Sequence, residues 1–459
     1  MFSVIITLGV SILGLTYLKG SSNLAADIEW LPLLGSRFSV KLDGMGQLLC
    51  LLTSVSFPLI FLSTWRTSYE KPGNFYALML LSQAGLMGVF LAYDALLFYF
   101  FWELALIPAY FLCSRWGGEK RIAVTFKFFI YTFIGSLLML VGIIYLYSLT
   151  PDQSFSLESF YNLKLPYDSK QDWIFWLFFI AFAIKMPIFP FHTWQPDTYE
   201  QSPTATTMVL SGIMVKMGVF AVLRWLLPVL PAASWAQGDT IALLSVIGML
   251  YASFIAIRQD DLKRLVAYSS IAHMGLMCLA IFVTSEIGMQ GVMIQMFSHG
   301  INIIGLWIVV ELIERQFNTR KISELGGLAQ KAPVLATLLV IIALANVALP
   351  LTNAFVGEFM MFSGVFGSQV SKHSVAFAAI AAISIILSAI YTLNMIQKVF
   401  YGNTNTVTAN GRDIHFNEKL ALSIIVVLIL LFGVFPKPML ELTKSTVDLI
   451  MSRMLNKQP

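Results

Sequence analysis

The feature that most limits what this chain can fold into is the spacing of its charges. Uncharged stretches alternate with short polar loops, and the stretches run to about 20 residues, the length a helix needs to cross a bilayer. Of 459 residues, 58% are hydrophobic and only 12% are charged. That is about half the charged fraction of a soluble domain. A chain of this composition has too little polar surface to cover a water-soluble core. The reading is an all-α, polytopic membrane protein with about 13 transmembrane helices.

The spans fall near 2–18, 45–65, 75–93, 94–113, 122–147, 172–195, 204–229, 239–257, 265–284, 289–315, 333–366, 375–402 and 418–436. The first lacks a basic leader and a small-residue cleavage site, so it reads as a helix and not as a signal peptide. The even-numbered loops hold most of the Lys and Arg, among them Arg66, Lys120, Arg121, Lys263, Arg264, Arg315, Arg320 and Lys321. The odd-numbered loops hold only Lys19, Arg37, Lys41, Lys164, Lys170 and Lys372. By the positive-inside rule the even loops and the N-terminus face the cytoplasm. The C-terminal tail then lies on the far side, although it carries basic residues of its own. The net charge of +4 is dispersed through loops, and no nucleic-acid module is present. Cys50, Cys113 and Cys278 stand alone in apolar sequence and read as small core residues.

Some charges sit where a bilayer should forbid them. Glu103 in FYFFWELALIPAYF, Lys185 in FFIAFAIKMPIFPFHTW, Lys216 in VLSGIMVKMGVFAVLRW and Glu358 in PLTNAFVGEFMMFSGVF are each flanked by apolar residues on both sides. A charge at the centre of a spanning helix costs about 2.5–3.5 kcal/mol on insertion scales, so its default reading is functional. The bland alternative is snorkelling or a static ion pair. Arg224, beside Trp225 and near a span's end, fits that alternative. His273 in AYSSIAHMGLM and His299 in MFSHGINIIG extend the row. An imidazole can take a proton at one nitrogen and release it at the other. His192 reads as interfacial, and His373 and His415 fall in loops.

Two charges accompany helix breaks. Pro187 and Pro190 should leave the carbonyls of Ala183 and Met186 without helical partners, and Pro350 should do the same to Asn346. Irregular backbone at membrane depth persists only where protein buries it or where it lines a wet cavity. The breaks fall in the fourth helix of two five-helix units, 75–229 and 239–402. An odd helix number gives consecutive units opposite topology, the inverted-repeat plan of transporters. Residues 1–74 form an N-terminal region and 403–459 a C-terminal helix and tail. Each repeat reads as a proton half-channel. A buried lysine loses its proton on desolvation and regains it beside a carboxylate, so Glu103 approaching or leaving Lys185 would move charge toward Lys216. The chain has no GxGxxG, P-loop or metal-ligand spacing, so the driving energy must come from a partner.

The segments FWELALIPAYF, AFAIKMPIFPFHTWQPDTYEQSPT, GIMVKMGVFAVLR, DLKRLVAYSSIAHMG, QMFSHGINIIGL and NAFVGEFM closely resemble the antiporter-like subunits of NADH–quinone oxidoreductase, respiratory complex I. The resemblance runs from about residue 40 onward. It implies that Glu103 and Lys185 form the family's key ion pair and that Lys216 is the central relay residue. It also implies that His273 and His299 continue the polar axis and that position 358 lies near the exit. At that position subunits L and N carry lysine, whereas a glutamate, here Glu358, belongs to the M-type branch. FMN, iron–sulfur clusters and quinone are then expected in partner subunits, with no cofactor or metal site in this chain. Subunits L and N are the expected neighbours, in a bacterial cell (inner) membrane. There are two departures. One helix, not two, precedes the KLDGMGQLL segment, and VALPLTNAFVGE lacks the extra glycines many members carry around the proline. The alternatives are a subunit of a multisubunit cation/proton antiporter, a stand-alone transporter, and a structural membrane subunit whose charges only hold helices together.

Overall fold

The computed structural model describes residues 1–19, 24–163, 165 and 169–455. Lys164 and Lys457 lie outside the described residues. Helix α1 (Phe2–Lys19) leads into a two-stranded antiparallel hairpin, β1 (Ala25–Leu31) and β2 (Ser36–Lys41). Then follow α2 (Gly44–Ser63), α3 (Pro72–Leu91), α4 (Ala95–Trp116), α5 (Arg121–Leu149) and the short α6 (Leu157–Asn162). The first interrupted helix comprises α7 (Ser169–Lys185) and α8 (Gln195–Gln201), and α9 (Thr204–Leu226) closes the first five-helix set.

The second set is α10 (Pro231–Ile257), α11 (Leu262–Phe282), α12 (Glu286–Phe317), the interrupted pair α13 (Pro333–Asn346) and α14 (Asn353–Phe366), and α15 (Ser374–Val399). Helices α16 (Phe416–Val434) and α17 (Lys437–Leu455) end the chain. Among the described residues, ten helices are long and apolar enough to cross a membrane. The three expected spans not among those ten are α1 and the two interrupted helices, whose pieces are individually too short.

Local sequence explains the helix starts. Asp43, Asp94, Asp261 and Ser285 each accept a hydrogen bond from a first-turn amide, at 2.9, 3.0, 3.1 and 3.1 Å, and so cap α2, α4, α11 and α12. His415, expected only in a loop, caps α16 in a reciprocal box with Glu418. α17 was not expected as a helix. Its charged residues hide the apolar stripe of Met439, Val447, Ile450 and Met454 that packs on α2, α10 and α12.

The centre of the bundle is made by α9, α11 and α12, which are buried along their whole apolar windows. The surrounding α3, α4, α5, α10, α15 and α16 are buried on about one side, and Ile134, Phe254, Ile386 and Val427 project outward. Two glycines let α9 and α12 approach closely. A Cβ on Gly300 would stand 2.9 Å from the Gly212 carbonyl oxygen, and one on Gly212 would stand 2.7 Å from Ile304. Side chains on these two helices can therefore meet in the middle of the protein.

Candidate functional site

α9 is not a regular helix. Residues 210–214 and 222–226 form π turns, a distortion frequent at functional sites. In the first turn the Val215 N–H reaches the Leu210 carbonyl instead of the Ser211 carbonyl. The Ser211 carbonyl accepts from the Lys216 Nζ at 2.8 Å, and the same Nζ lies 2.7 Å from His299 Nδ1 on α12. Lys216 is 0% exposed and His299 2%. When Lys216 is protonated its ammonium donates, so His299 Nδ1 then accepts and Nε2 carries the ring proton.

The row continues across α11 and α14. The His299 and His273 rings are 5.4 Å apart, centroid to centroid. His273 Nδ1 lies 3.0 Å from Glu358 Oε1, and Gln295 Nε2 donates to the same oxygen at 3.2 Å. His273 Nε2 and His299 Nε2 are buried without a hydrogen-bond partner among the described residues. The structure thus brings Lys216, His299, His273 and Glu358 into one line. Gln295 joins this cluster although sequence reasoning missed it. The available signal was its position one turn before His299 on the same helix.

At the other end the arrangement is looser. Lys185, the last residue of α7, is buried, and its Nζ lies 5.4 Å from the Trp102 ring. Neither Lys185 Nζ nor Glu103 Oε1 has a hydrogen-bond partner among the described residues, and no ion pair within 4.0 Å joins them. The expected Glu103–Lys185 contact is therefore open in this structure, with the Trp102 ring beside the lysine. Glu103 borders an apolar groove of about 310 Å³ shared with Trp30 and Tyr99. Glu358 borders a second, of about 530 Å³, shared with Phe355, Phe359 and Phe362.

Both interruptions occur where proline predicts them, with one correction. The Ala183 carbonyl is not left open, because the chain turns immediately after Lys185 and the Ile188 N–H reaches it at 2.9 Å. The Ile184 carbonyl loses its helical partner as well, and the Trp194 indole N–H donates to it at 2.9 Å; Pro190 has no N–H to offer the Met186 carbonyl, as expected. In the second interruption the helix stops at Asn346 and resumes at Asn353. Asn346 Nδ2 and the Tyr391 hydroxyl both donate to Ser269 Oγ, at 3.1 and 3.0 Å. His192 is buried within the protein, its ring against those of Phe189 and Tyr251.

Arg224 is a structural pair, as its position suggested. Both oxygens of Asp43 accept from its Nη2, at 2.8 and 2.7 Å, and the Tyr161 hydroxyl donates to its carbonyl. Burial raises the Asp43 carboxyl's pKa, and Arg224 outweighs it and holds the group below the usual carboxylate range. On the opposite side of the bundle a charge network ties the two five-helix sets together. Asp197 on α8 binds Lys127 at 2.8 Å and Arg264 at 3.1 Å, and Glu200 binds Arg264 at 2.9 Å and Arg320 at 3.1 Å. Arg320 also reaches Asp261, and Lys263 pairs with Glu314 at 2.7 Å. Among the described residues no group of three or more His, Cys, Asp or Glu could hold a metal ion.

Interrupted helices around a buried row of ionisable groups define an antiporter-like membrane subunit. Residues 92–388 match the family described as NADH:quinone oxidoreductase/Mrp antiporter, TM. NADH-quinone oxidoreductase subunit M of Rickettsia prowazekii is 38% identical over 91% of this chain and 84% of its own length. F(420)H(2) dehydrogenase subunit M of Methanosarcina mazei is 35% identical, covering 96% of this chain and 91% of its own. A chain of respiratory complex I from Thermus thermophilus superposes with a TM-score of 0.87 at 31% identity, over 96% of this chain and 94% of that one. The chain belongs to this family of antiporter-like membrane subunits, alongside the M subunits of NADH-quinone oxidoreductase.

Proposed function

We propose that this chain moves protons through the membrane along Glu103, Lys185, Lys216, His299, His273 and Glu358, as a subunit of an NADH:quinone oxidoreductase. The observation that carries the reading is the continuity of Lys216, His299, His273 and Glu358, with contacts of 2.7 and 3.0 Å on either side of two facing imidazoles. Each histidine has its Nδ1 against its ionisable neighbour and its Nε2 buried without a hydrogen-bond partner among the described residues. One or a few waters between the rings would let a proton leave one ring and reach the other. The two five-helix sets act as half-channels that meet at Lys216.

Energy comes from redox chemistry in partner subunits, where FMN, iron–sulfur clusters and quinone reside. The names of the relatives favour this over a cation/proton antiporter. One M subunit serves an NADH–quinone oxidoreductase and another an F(420)H(2) dehydrogenase. A shared membrane subunit behind two electron donors fits a chain that carries protons and no electrons. Its neighbours are the antiporter-like subunits L and N, in the bacterial cell membrane.

The test is Glu358 in the assembled complex. Glu358→Gln keeps the shape and the hydrogen bond from Gln295 but cannot ionise, so NADH-driven proton uptake into inverted vesicles should fall at least fivefold at normal assembly. Glu358→Asp should keep a measurable part of it. Wild-type uptake in Glu358→Gln, per assembled complex, would contradict the axis.

A further inference from the structure

Arg224 is charged and buried, yet it stands outside the row described above. It lies two turns past Lys216 on α9, toward the far side of the membrane as the loop charges assign it. The second π turn of α9, residues 222–226, carries it. Phe220 falls midway between the two cations and is wholly buried. Its ring meets those of Phe90 on α3 and Phe98 on α4, at 5.4 and 6.5 Å between centroids, and both of these are buried too. The Arg224 guanidinium lies over the Phe220 ring at 5.1 Å and over the Tyr93 ring at 4.7 Å. One face of α9 thus presents an ammonium, a layer of rings and a guanidinium in succession.

Neither the rings nor the guanidinium can relay a proton, because a relay must both accept and donate. Phenyl rings do neither, and packed apolar rings keep water out, the means by which hydrophobic constrictions close channels. A guanidinium has donors and no acceptor, and it keeps its proton in proteins. The Trp225 indole nitrogen, whose ring is 5.1 Å from that of Phe98, has no hydrogen-bond partner among the described residues, but it too only donates. The Arg224 side chain is 4% exposed and that of Asp43 19%, so the ion pair points its positive end into the bundle. A fixed arginine charge of this kind is an electrostatic barrier to protons and other cations. In the other direction Lys216 meets His299, whose imidazole both accepts and donates.

We propose that the Phe90, Phe98 and Phe220 rings, with the Arg224 guanidinium behind them, form a fixed proton barrier. It closes the first five-helix set toward the far side, so that a proton on Lys216 leaves toward that side only along the histidine row. The barrier rests on the axis reading above and gives the axis its direction. It is made by the rings and the guanidinium, all of which Asp43→Asn leaves in the chain.

The experiment uses the assembled complex, purified and reconstituted in liposomes. It reads the collapse of an imposed pH difference without NADH, and NADH-driven proton uptake, each per assembled complex. Phe220→Ala opens the ring layer and should speed the collapse at least fivefold, with net uptake at least threefold lower while NADH oxidation continues. Phe220→Leu keeps the layer apolar and filled and should stay within twofold of wild type. Adding Lys216→Met to Phe220→Ala should bring the collapse back to within twofold of wild type, because the leak enters through the row. Wild-type collapse in Phe220→Ala overturns the barrier and leaves the axis standing. A leak that persists after Lys216→Met is added marks loosened packing and overturns the barrier as well. If Phe220→Ala does not assemble, Asp43→Asn combined with Arg224→Gln decides. That neutral pair should speed the collapse at least threefold, and a wild-type rate overturns the barrier. Wild-type uptake in Lys216→Met alone removes the axis and the barrier with it.

Discussion

The Lys216 ammonium lies 2.7 Å from His299 Nδ1 and 2.8 Å from the Ser211 carbonyl, which a π turn leaves open, and it has no carboxylate in contact among the described residues. Along the row, Lys216 connects to the Glu358 carboxylate through two imidazoles. On the proposed axis the 2.7 Å contact is the one through which a proton would pass between Lys216 and His299.

The open Glu103–Lys185 contact gives the first prediction. Breaking a closed buried pair typically costs about 3–5 kcal/mol, since one charge is left alone. Here no pair is closed, so Glu103→Gln should assemble normally while NADH-driven proton uptake falls at least fivefold. Blue-native gels of solubilised membranes, with uptake measured on the same vesicles, check both halves. Failure to assemble with intact folding of neighbouring subunits would mean that the pair is structural.

The Asp43–Arg224 pair should behave in the opposite way. It is closed and largely buried, with the Arg224 Nη2 donating to both Asp43 oxygens, and it joins α2 to α9 across 181 residues. Asp43→Asn should destabilise the subunit by about 3–5 kcal/mol, read as a lowered thermal unfolding midpoint in detergent, with proton uptake per assembled complex unchanged. Asp43→Asn combined with Arg224→Met should be less destabilised than Asp43→Asn alone, because the unpaired guanidinium is gone.

Much of this site was legible in the sequence, for a physical reason. The bilayer makes an ionisable residue in an apolar span costly, so Glu103, Lys185, Lys216 and Glu358 stand out without any structure. Proline likewise marks both interruptions. What stayed hidden depends on packing. Asp43 and Arg224 meet across a long stretch of chain, and nothing local in either segment names the other. Gln295 is an uncharged amide in an apolar helix and costs too little to draw notice. The π turn at 210–214 has no residue signature in LSGIM, and the charges of α17 masked its apolar stripe.

The Asp197 tether supplies a pH dependence. Burial raises the Asp197 carboxyl's pKa, and the hydrogen bonds from Lys127 and Arg264 outweigh it, so the group sits below its ordinary 3.8. A depressed carboxylate contributes stability that is fully present above the unfolded value and is lost as pH falls through the folded one. Asp197→Asn should therefore lower the thermal midpoint equally at about pH 8 and about pH 5. The difference from wild type should close only below 3.8. A difference that already closes between those two upper values would contradict the assignment.

The most direct test of the proton axis is Lys216→Met in the assembled complex. Methionine keeps the length and packing of the lysine stem but can neither carry a proton nor donate to His299. NADH oxidation and proton uptake are measured on the same inverted vesicles, normalised to assembled complex. The account predicts normal assembly with proton uptake reduced at least tenfold. Wild-type uptake at normal assembly would show that protons do not pass through Lys216, and the axis would fall.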